Sequence, residues 1–414
     1  MKKLLIFLVL GVLFNFRISK ADEQELRKEI QYLKQRIQKL EERLAKYEQQ
    51  QKQQQEQKKE LKDIVPQALE GVEISGGATF VIQSAIDTNN TTKPNEDVSD
   101  ATYTMDLFIE KEFSDYGKAL LHLEAGDGSG VDDDELALFS GVNRDAGDSD
   151  NQVEITEAWY EHYLLDKKLS ITFGKLDPTC FLDQNAIAND ETTQFLSFAF
   201  RNNPTIEFPD NSFGIHLLYS PLDILELEFS FLDADSDWED IFNKAFLSFQ
   251  LNFKLSVFNR PGNYRIYAWR NNSDHTFWTD STRTEEENYG YGISIDQQLN
   301  DYTTAFFRWG YARPDVSTVK YAYSIGTQIQ GSLWTRDEDY IGIAFGQNFP
   351  ANEYARGGNY DNTESHLEIY YSLKLNPYFT LSPDFQVIWN PNGAGSGSNS
   401  KSVKVLGLRA QVDF

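Results

Sequence analysis

Ser402 to Phe414, the final stretch of the chain, reads SVKVLGLRAQVDF. Counted back from the end, alternate positions are apolar: Leu406, Leu408, Ala410, Val412 and Phe414. The positions between them are Gly407, Arg409, Gln411 and Asp413. Successive side chains of a strand point to opposite faces, so this pattern predicts a strand with one apolar and one polar face. Taken alone, it fits the closing strand of an outer-membrane β-barrel and the edge strand of a soluble sandwich equally well.

The same period of two continues through residues 71–414. Leu247, Phe249 and Leu251, for example, are separated by Ser248 and Gln250. The pattern predicts about sixteen strands, near 72–82, 101–112, 117–125, 153–164, 168–176, 212–220, 223–232, 243–255, 262–271, 288–299, 302–313, 321–333, 338–348, 364–376, 378–390 and 402–414.

The connections between these strands alternate in length. Short turns are predicted at 114–116, 165–167, 221–222, 299–301 and 376–377. The long connections are predicted at about 83–100, 126–152, 177–211, 272–287 and 349–363. Tight turns at one rim and extended loops at the other are typical of a transmembrane barrel. The predicted fold class is therefore all-β, an antiparallel up-and-down transmembrane β-barrel, with both termini at the periplasmic rim.

Composition and the N-terminus indicate which partners the protein can bind and that it is exported from the cytoplasm. The chain has 414 residues and a net charge of −26, so no basic surface favours a nucleic-acid partner. Lys2 and Lys3, the apolar run Leu4 to Phe14 and Ser19-Lys20-Ala21 predict a signal peptide over residues 1–21. Cys180 is the only cysteine, which excludes an internal disulfide. No cofactor, metal or catalytic site is predicted.

Residues 22–49 carry a heptad pattern. Apolar residues recur every four and three positions at Leu26, Ile30, Leu33, Ile37, Leu40, Leu44 and Tyr47. This spacing predicts a coiled coil, either dimeric or trimeric, or else one amphipathic helix packed on the barrel. The Gln- and Lys-rich residues 50–70 are predicted to form a polar linker to the barrel domain, 71–414.

Three short motifs within residues 173–196 resemble the carbohydrate-selective porin family, the OprB-like porins. They are Phe173-Gly174-Lys175-Leu176-Asp177, Phe181-Leu182-Asp183-Gln184-Asn185, and Ala188-Asn189-Asp190-Glu191 with Gln194-Phe195-Leu196. The resemblance covers roughly 71–414. It implies an outer-membrane trimer that passes small polar solutes, among them sugars, and a third outer loop (177–211) that narrows the channel.

Candidate pore residues follow from that loop and from the polar faces of the strands. The loop contributes Asp183, Asn185, Asn189, Asp190 and Glu191, and the strands contribute Glu226, Glu228, Arg265, Arg308, His366, Glu368 and Arg409. Asn189 and Asp190 are predicted to cap a short helix beginning at Glu191, with Phe195 and Phe198 on its packing side. These polar side chains can either face the pore or fix the loop, since a loop inside a barrel needs its backbone groups satisfied.

Two further clusters carry less weight. The run Asp132-Asp133-Asp134-Glu135 lacks the ligand spacing of a calcium loop and is interpreted as a solvated acidic loop. The five histidines are scattered through the sequence, and no motif pairs one of them with a nucleophile. The favoured interpretation is a passive outer-membrane porin. The alternatives are a structural or adhesive envelope protein that acts through its coiled coil, and a barrel-embedded hydrolase.

Overall fold

The computed structural model describes residues 70–89, 96–146, 151–285, 287–356, 360, 362–394 and 402–414, together with single positions between Arg27 and Lys46. The chain divides into two compact units, Met1–Glu70 and Gly71–Phe414.

In the N-terminal unit, the described positions before Glu70 are helical and exposed: Arg27, Lys28, Gln31, Tyr32, Lys34, Gln35, Gln38, Lys39 and Lys46. The predicted heptad seam (Leu26, Ile30, Leu33, Ile37, Leu40, Leu44 and Tyr47), the signal peptide and residues 50–69 of the linker lie outside the described residues. The coiled coil therefore stays a prediction.

Residues 71–414 are built mainly of strands. They are β1 (Val72–Ile86), β2 (Val98–Glu112), β3 (Gly117–Asp127), β4 (Glu154–Leu164), β5 (Leu169–Leu176), β6 (Ser212–Leu222), β7 (Leu225–Asp233), β8 (Ala245–Val257), β9 (Arg260–Asn271), β10 (His275–Phe277), β11 (Asp280–Glu285), β12 (Asn288–Gln298), β13 (Thr303–Ala312), β14 (Val319–Gln330), β15 (Tyr340–Pro350), β16 (Glu364–Asn376), β17 (Phe379–Trp389) and β18 (Val403–Asp413). Short α-helices span Gly130–Glu135, Phe198–Arg201 and Asn352–Ala355. Single 3-10 turns span Pro178–Cys180, Gly331–Trp334 and Pro391–Gly393.

Sixteen of these strands form one closed antiparallel barrel, and β10 pairs only with β11 in a small hairpin. Each barrel strand pairs with its neighbours in sequence, except that β9 pairs with β12 across the hairpin. β18 closes the ring on β1, with Ile82 opposite Leu408 and Gly77 opposite Asp413. The predicted fold class and the sixteen predicted strands are confirmed.

The barrel is apolar on its outer face and polar inside. On β18, Leu406 and Leu408 are 53% and 42% exposed, whereas Arg409 is 1% exposed. Burying one such aliphatic side chain is worth about 1.5–3 kcal/mol, so an outer face of this kind is unfavourable in water and stable in lipid. The soluble sandwich is thereby excluded, because its apolar faces would pack against each other. Among the described residues, no helix combines the length and apolarity required to span a bilayer.

The loops sort to the two rims as predicted. The short turns include 165–168, 223–224 and 258–259, and the opposite rim carries long connections such as 128–153 and 177–211. Phe258 and Asn259 both have positive φ, 56° and 58°, as a type I′ hairpin turn requires. The turn predicted at 221–222 is shifted by two residues, because β6 extends through Leu222.

The interior is only partly aqueous, because two outer loops pack against the barrel wall. Phe195 and Phe200 of one loop pack with Phe306 on β13 and Tyr370 on β16. The ring centroids of Phe195 and Tyr370 are 5.0 Å apart in a T-shaped contact. A second apolar cluster includes Trp269, only 3% exposed, which shows that this tryptophan belongs to the interior and does not face lipid headgroups.

Candidate channel and constriction

Residues 177–211, called the inner loop here, connect β5 to β6 and lie inside the barrel. Arg308 on β13 is fully buried and is the main cationic anchor of this loop. Its Nη1 donates to the carbonyl oxygen of Phe200 (2.5 Å) and its Nη2 to that of Asp183 (2.9 Å). Nη2 also lies 3.3 Å from Oδ1 of Asn189. One arginine thus satisfies backbone acceptors at two separate points of the loop.

The Asp183 side chain forms an ion pair with the same arginine. Nε of Arg308 is 3.0 Å from Oδ2 of Asp183, and both side chains are completely buried. The same oxygen accepts a hydrogen bond from the backbone N–H of Asn203 (2.7 Å). Burial raises the pKa of Asp183 to about 6, and the nearby Arg308 charge opposes that rise. The carboxylate is therefore ionised at neutral pH.

Arg409 and Glu368 hold the middle of the inner loop. Nη1 of Arg409 donates to the carbonyl oxygens of Glu191 (2.6 Å) and Gln194 (2.8 Å). The Glu368 carboxylate accepts from the backbone N–H groups of Leu196 (2.7 Å) and Ser197 (3.0 Å). Both side chains were predicted pore candidates on polar strand faces, and the structure places them as loop anchors covered by the loop.

The remaining candidates divide between the wall and the pore. Asn185 donates to Ser294 and to the carbonyl of Ile295, while Arg265 pairs with Asp296 at 2.6 Å. Those contacts are buried behind the loop, as are the Glu228–Gln250 hydrogen bond and the His366–Gln386 contact. Glu226 accepts from Asn252 and pairs with Lys254. Of the predicted candidates, Asn189, Asp190 and Glu191 line the larger of the two cavities described below.

The helix predicted to begin at Glu191 is wrong. Residues 191–193 form a turn in which Asp190 accepts hydrogen bonds from the N–H and hydroxyl of Thr192. The helix begins instead at Phe198, capped by Ser197, whose hydroxyl oxygen accepts from the N–H of Ala199 (3.1 Å). Phe195 is buried as predicted, but Phe198 is 39% exposed because it faces a cavity.

Residues 128–146, called the second loop here, are the described first part of the connection between β3 and β4, and they also bend into the barrel. The Asp132 carboxylate accepts from the backbone N–H groups of Val142 and Asn143 at 2.8–2.9 Å. The N–H of Arg144 donates to the carbonyl of Leu196 (2.7 Å), which joins the second loop to the inner loop. The interpretation of Asp132 as part of a solvated acidic loop is therefore wrong, since this carboxylate fixes the turn that carries Arg144.

Two cavities remain beside these loops, on the side of the barrel formed by β1–β5. One opens toward the short turns and has a volume of about 720 Å³, and the other opens toward the long loops with about 660 Å³. We call them the turn-side and loop-side cavities. The two linings have five residues in common: Arg144, Thr156, Asp177, Arg201 and Asn211. The cavities therefore meet at this ring, which is the candidate constriction.

The turn-side cavity combines the two arginines of the constriction with an excess of carboxylates. Arg201 forms an ion pair with Glu191 and also donates to Asn202 (3.0 Å). The guanidinium of Arg144 lies 5.1 Å from the ring centroid of Phe198. The described carboxylates of the turn-side cavity are Asp106, Glu124, Asp145, Glu157, Asp177, Asp190, Glu191 and Asp413. Acidic groups outnumber the arginines, so the local potential favours cations over anions.

Hydrogen bonds fix several of these groups. His122 on β3 lies between Asp106 on β2 (2.8 Å) and Glu157 on β4 (3.6 Å) and stacks on Phe108 with ring centroids 4.2 Å apart. Asp145 in the second loop accepts from the Thr104 hydroxyl (3.0 Å). Burial raises the pKa of Asp145 well above its ordinary value, and the charge of Glu191 adds to that rise.

The predicted pore candidates included none of the five ring residues and few of the other residues that line the turn-side cavity. The predicted strands β2 and β3 contain Asp106, His122 and Glu124. The alternation of side chains along these strands was sufficient to predict that all three point into the barrel. Arg144 and Arg201 lie on loops, and no periodicity places a loop side chain.

A closed sixteen-stranded barrel with an apolar exterior, narrowed by a loop folded into a polar interior, defines the class of outer-membrane diffusion porins. The chain belongs to the carbohydrate-selective porin, OprB family, whose model matches residues 115–414. The resemblance noted in the sequence motifs is confirmed, and the family and fold are those of channel proteins.

Relatives and solved structures agree with this assignment. Porin AaxA of Chlamydia abortus is 24% identical over 251 residues, which are 58% of this chain and 53% of that protein. An uncharacterised protein of Aquifex aeolicus is 27% identical over 248 residues, 60% of this chain and 65% of that protein. The chain thus spans about half the length of the chlamydial relative.

Among solved structures, Pseudomonas putida OprB at high pH superposes with a TM-score of 0.71 at 15% identity, covering 86% of this chain and 96% of that chain. The outer-membrane channel DcaP of Acinetobacter baumannii gives 0.54 at 13% identity, covering 83% and 97%. At these identities the likeness concerns the fold.

Proposed function

We propose that the protein is a porin through which small polar solutes, carbohydrates among them, diffuse passively across the outer membrane. The observation that carries this proposal is the pair of cavities that meet at the ring of Arg144, Thr156, Asp177, Arg201 and Asn211. A solute following this route passes from the long-loop rim to the short-turn rim beside the inner loop. No energy input and no catalytic step is part of the proposal.

The chemistry of the loop-side cavity supports sugars as solutes. Phe139, Phe198 and Phe208 line it together with Arg201 and Glu207. Sugars present apolar C–H faces and hydroxyl groups that both donate and accept hydrogen bonds. Aromatic rings beside ionic groups match both features. The acidic turn-side cavity then favours neutral and cationic solutes over anionic ones.

Reconstitution of residues 22–414 tests the proposal. In planar bilayers we expect stepwise, ohmic conductance with cations more permeant than anions. In liposome swelling we expect neutral sugars to enter at rates that fall with their size, and anionic sugar acids to enter more slowly than neutral sugars of equal size. Vesicles carrying the same amount of unfolded protein are the control. Silence of the folded protein in both assays would contradict the proposal.

The wider architecture is part of the same proposal. Residues 1–21 are a signal peptide, and residues 22–49 form a periplasmic coiled coil joined by the linker 50–70 to a barrel embedded in outer-membrane lipid. The barrel assembles as a homotrimer. Chemical crosslinking of residues 22–414 beside a chain lacking 22–62 tests the assembly, since a trimer lost on deletion belongs to the coiled coil and a trimer retained belongs to the barrel.

A further inference from the structure

Three carboxylates occupy alternating positions from the last residue of β7 into the loop between β7 and β8, residues 234–244. The sequence here is Asp233-Ala234-Asp235-Ser236-Asp237. One carboxylate oxygen from each aspartate lies within 4.8 Å of those of the other two. Calcium binds oxygen ligands at about 2.3–2.6 Å, so two oxygens on one ion are at most about 5 Å apart. The three aspartates are therefore close enough to bind the same cation.

Asp233 supplies a second and independent observation. Its side chain is completely buried, with 0% exposure. Oδ2 accepts a hydrogen bond from the backbone N–H of Trp238 (3.2 Å), whereas Oδ1 is buried and accepts none. Leaving a buried carboxylate oxygen without a donor is unfavourable, and buried charges are ordinarily paired or coordinate metals. A cation bound by the Asp233 carboxylate would compensate this buried charge.

The spacing matches the first half of a known calcium loop. In an EF-hand, side chains at positions 1, 3 and 5 bind the ion, and the residue at position 6 makes a sharp turn. Counted from Asp233, position 6 is Trp238, whose φ is +65°. The second half differs, because position 12 is Lys244, which pairs with Asp274 at 2.8 Å, where an EF-hand carries a bidentate glutamate.

We propose that Asp233, Asp235 and Asp237 form a calcium site on the outer rim of the barrel. Calcium is favoured over magnesium because carboxylates on a loop with open coordination positions suit a large, flexible coordination shell. With no bidentate glutamate, the site has the affinity of extracellular calcium modules, a dissociation constant on the order of 10⁻⁴–10⁻³ M. The site lies outside the proposed solute path and is independent of the porin function.

Terbium luminescence tests the site on the full mature chain folded in detergent. Tb³⁺ bound at the aspartates is sensitised by the adjacent Trp238. We expect a saturable signal that Ca²⁺ displaces at concentrations on the order of 10⁻⁴–10⁻³ M and that Mg²⁺ displaces less effectively. Trp238→Phe should remove the signal while leaving binding of radioactive Ca²⁺ unchanged.

The matched variants separate a built site from general surface charge. Asp235→Asn with Asp237→Asn should lower the Ca²⁺ affinity at least about tenfold, because affinity follows the number of charged ligands. Glu239→Gln with Asp240→Asn removes the same charge from the same loop and should leave the affinity unchanged. Circular dichroism confirms folding of both variants. Absence of saturable binding, an unchanged affinity in the aspartate variant, or an equal loss in both variants would overturn the proposal.

Discussion

Replacing Arg308 with methionine should release the inner loop from the barrel wall. The substitution leaves Asp183 buried without its cation and frees the carbonyl oxygens of Phe200 and Asp183. Breaking a buried pair by removing one partner costs roughly 3–5 kcal/mol, which corresponds to an increase of roughly 10²- to 10⁴-fold in the equilibrium constant for loop opening. Hydrogen–deuterium exchange of peptides from residues 177–211 measures this change, because exchange of a protected amide follows local opening.

The effect should depend on pH in a defined direction. The pKa of Asp183 is raised to about 6, so below that value the side chain is neutral in the wild-type protein as well. Under those conditions, removing Arg308 eliminates its hydrogen bonds to the inner loop, but it does not eliminate an attraction between opposite charges, because Asp183 is neutral. We expect the increase in exchange to be larger at about pH 8 than at about pH 5.

Two further variants make this prediction specific. Asp183→Asn keeps the side-chain shape and tolerates the positive φ of this position, 63°. Combined with Arg308→Met, it should add little to the single change, because both remove the same pair. Arg270→Met alters an outward-facing arginine of β9 and should leave exchange in the inner loop at the wild-type rate. Unchanged protection in Arg308→Met would contradict the role of Arg308 as an anchor.

Neutralising the two arginines of the constriction should make the channel more selective for cations. Arg144→Gln with Arg201→Gln removes the positive charges at the ring and leaves the carboxylates of the turn-side cavity. A unit charge about 4 Å from a passing ion contributes about 1–4 kcal/mol at effective dielectric constants of about 80 to 20. The ratio of cation to anion permeability should therefore rise at least about fivefold. The reversal potential in a potassium chloride gradient measures this ratio.

The opposite substitution provides the control for structural damage. Asp106→Asn with Glu124→Gln removes negative charge from the same cavity and should shift the reversal potential in the opposite direction. Arg270→Gln, outside the lumen, should not shift it. Shifts of the same sign in both luminal variants would contradict a constriction governed by these charges.

The sequence was sufficient to predict the barrel because each barrel strand has the same two environments on its two faces. Lipid outside and polar groups inside impose a period of two, and β18 shows it in Leu406, Leu408 and Arg409. The coiled coil rests on an equally clear period, but its seam lies outside the described residues.

The function of inward-facing side chains could not be predicted in the same way. Parity placed Arg308, Arg409 and Glu368 inside the barrel, but it cannot distinguish a pore-facing side chain from one that fixes a loop. The path of residues 177–211 decides that question, and it depends on contacts between distant parts of the chain. Glu368 and Ser197, for example, are 171 residues apart.

Chemical modification of Cys180 tests whether the water-filled path follows the inner loop. It lines the turn-side cavity, and its Sγ lies 3.4 Å from Oδ2 of Asp177, a residue of the constriction. The surrounding protein and the charge of Asp177 raise the pKa of this thiol well above its ordinary value. Its reaction with a charged methanethiosulfonate should therefore be slow at neutral pH and faster at alkaline pH, because the thiolate is the reactive form.

Single-channel recording during that modification tests the proposed path most directly. With a positively charged reagent, the added group beside the constriction should lower the conductance of each open channel in one step, because it repels the cations that the channel favours. A reducing agent should restore the conductance. Cys180→Ser channels should keep their conductance under the same treatment. A protein shown by mass spectrometry to carry the adduct on Cys180, yet conducting as before, would contradict a channel that passes between the inner loop and strands β1–β5.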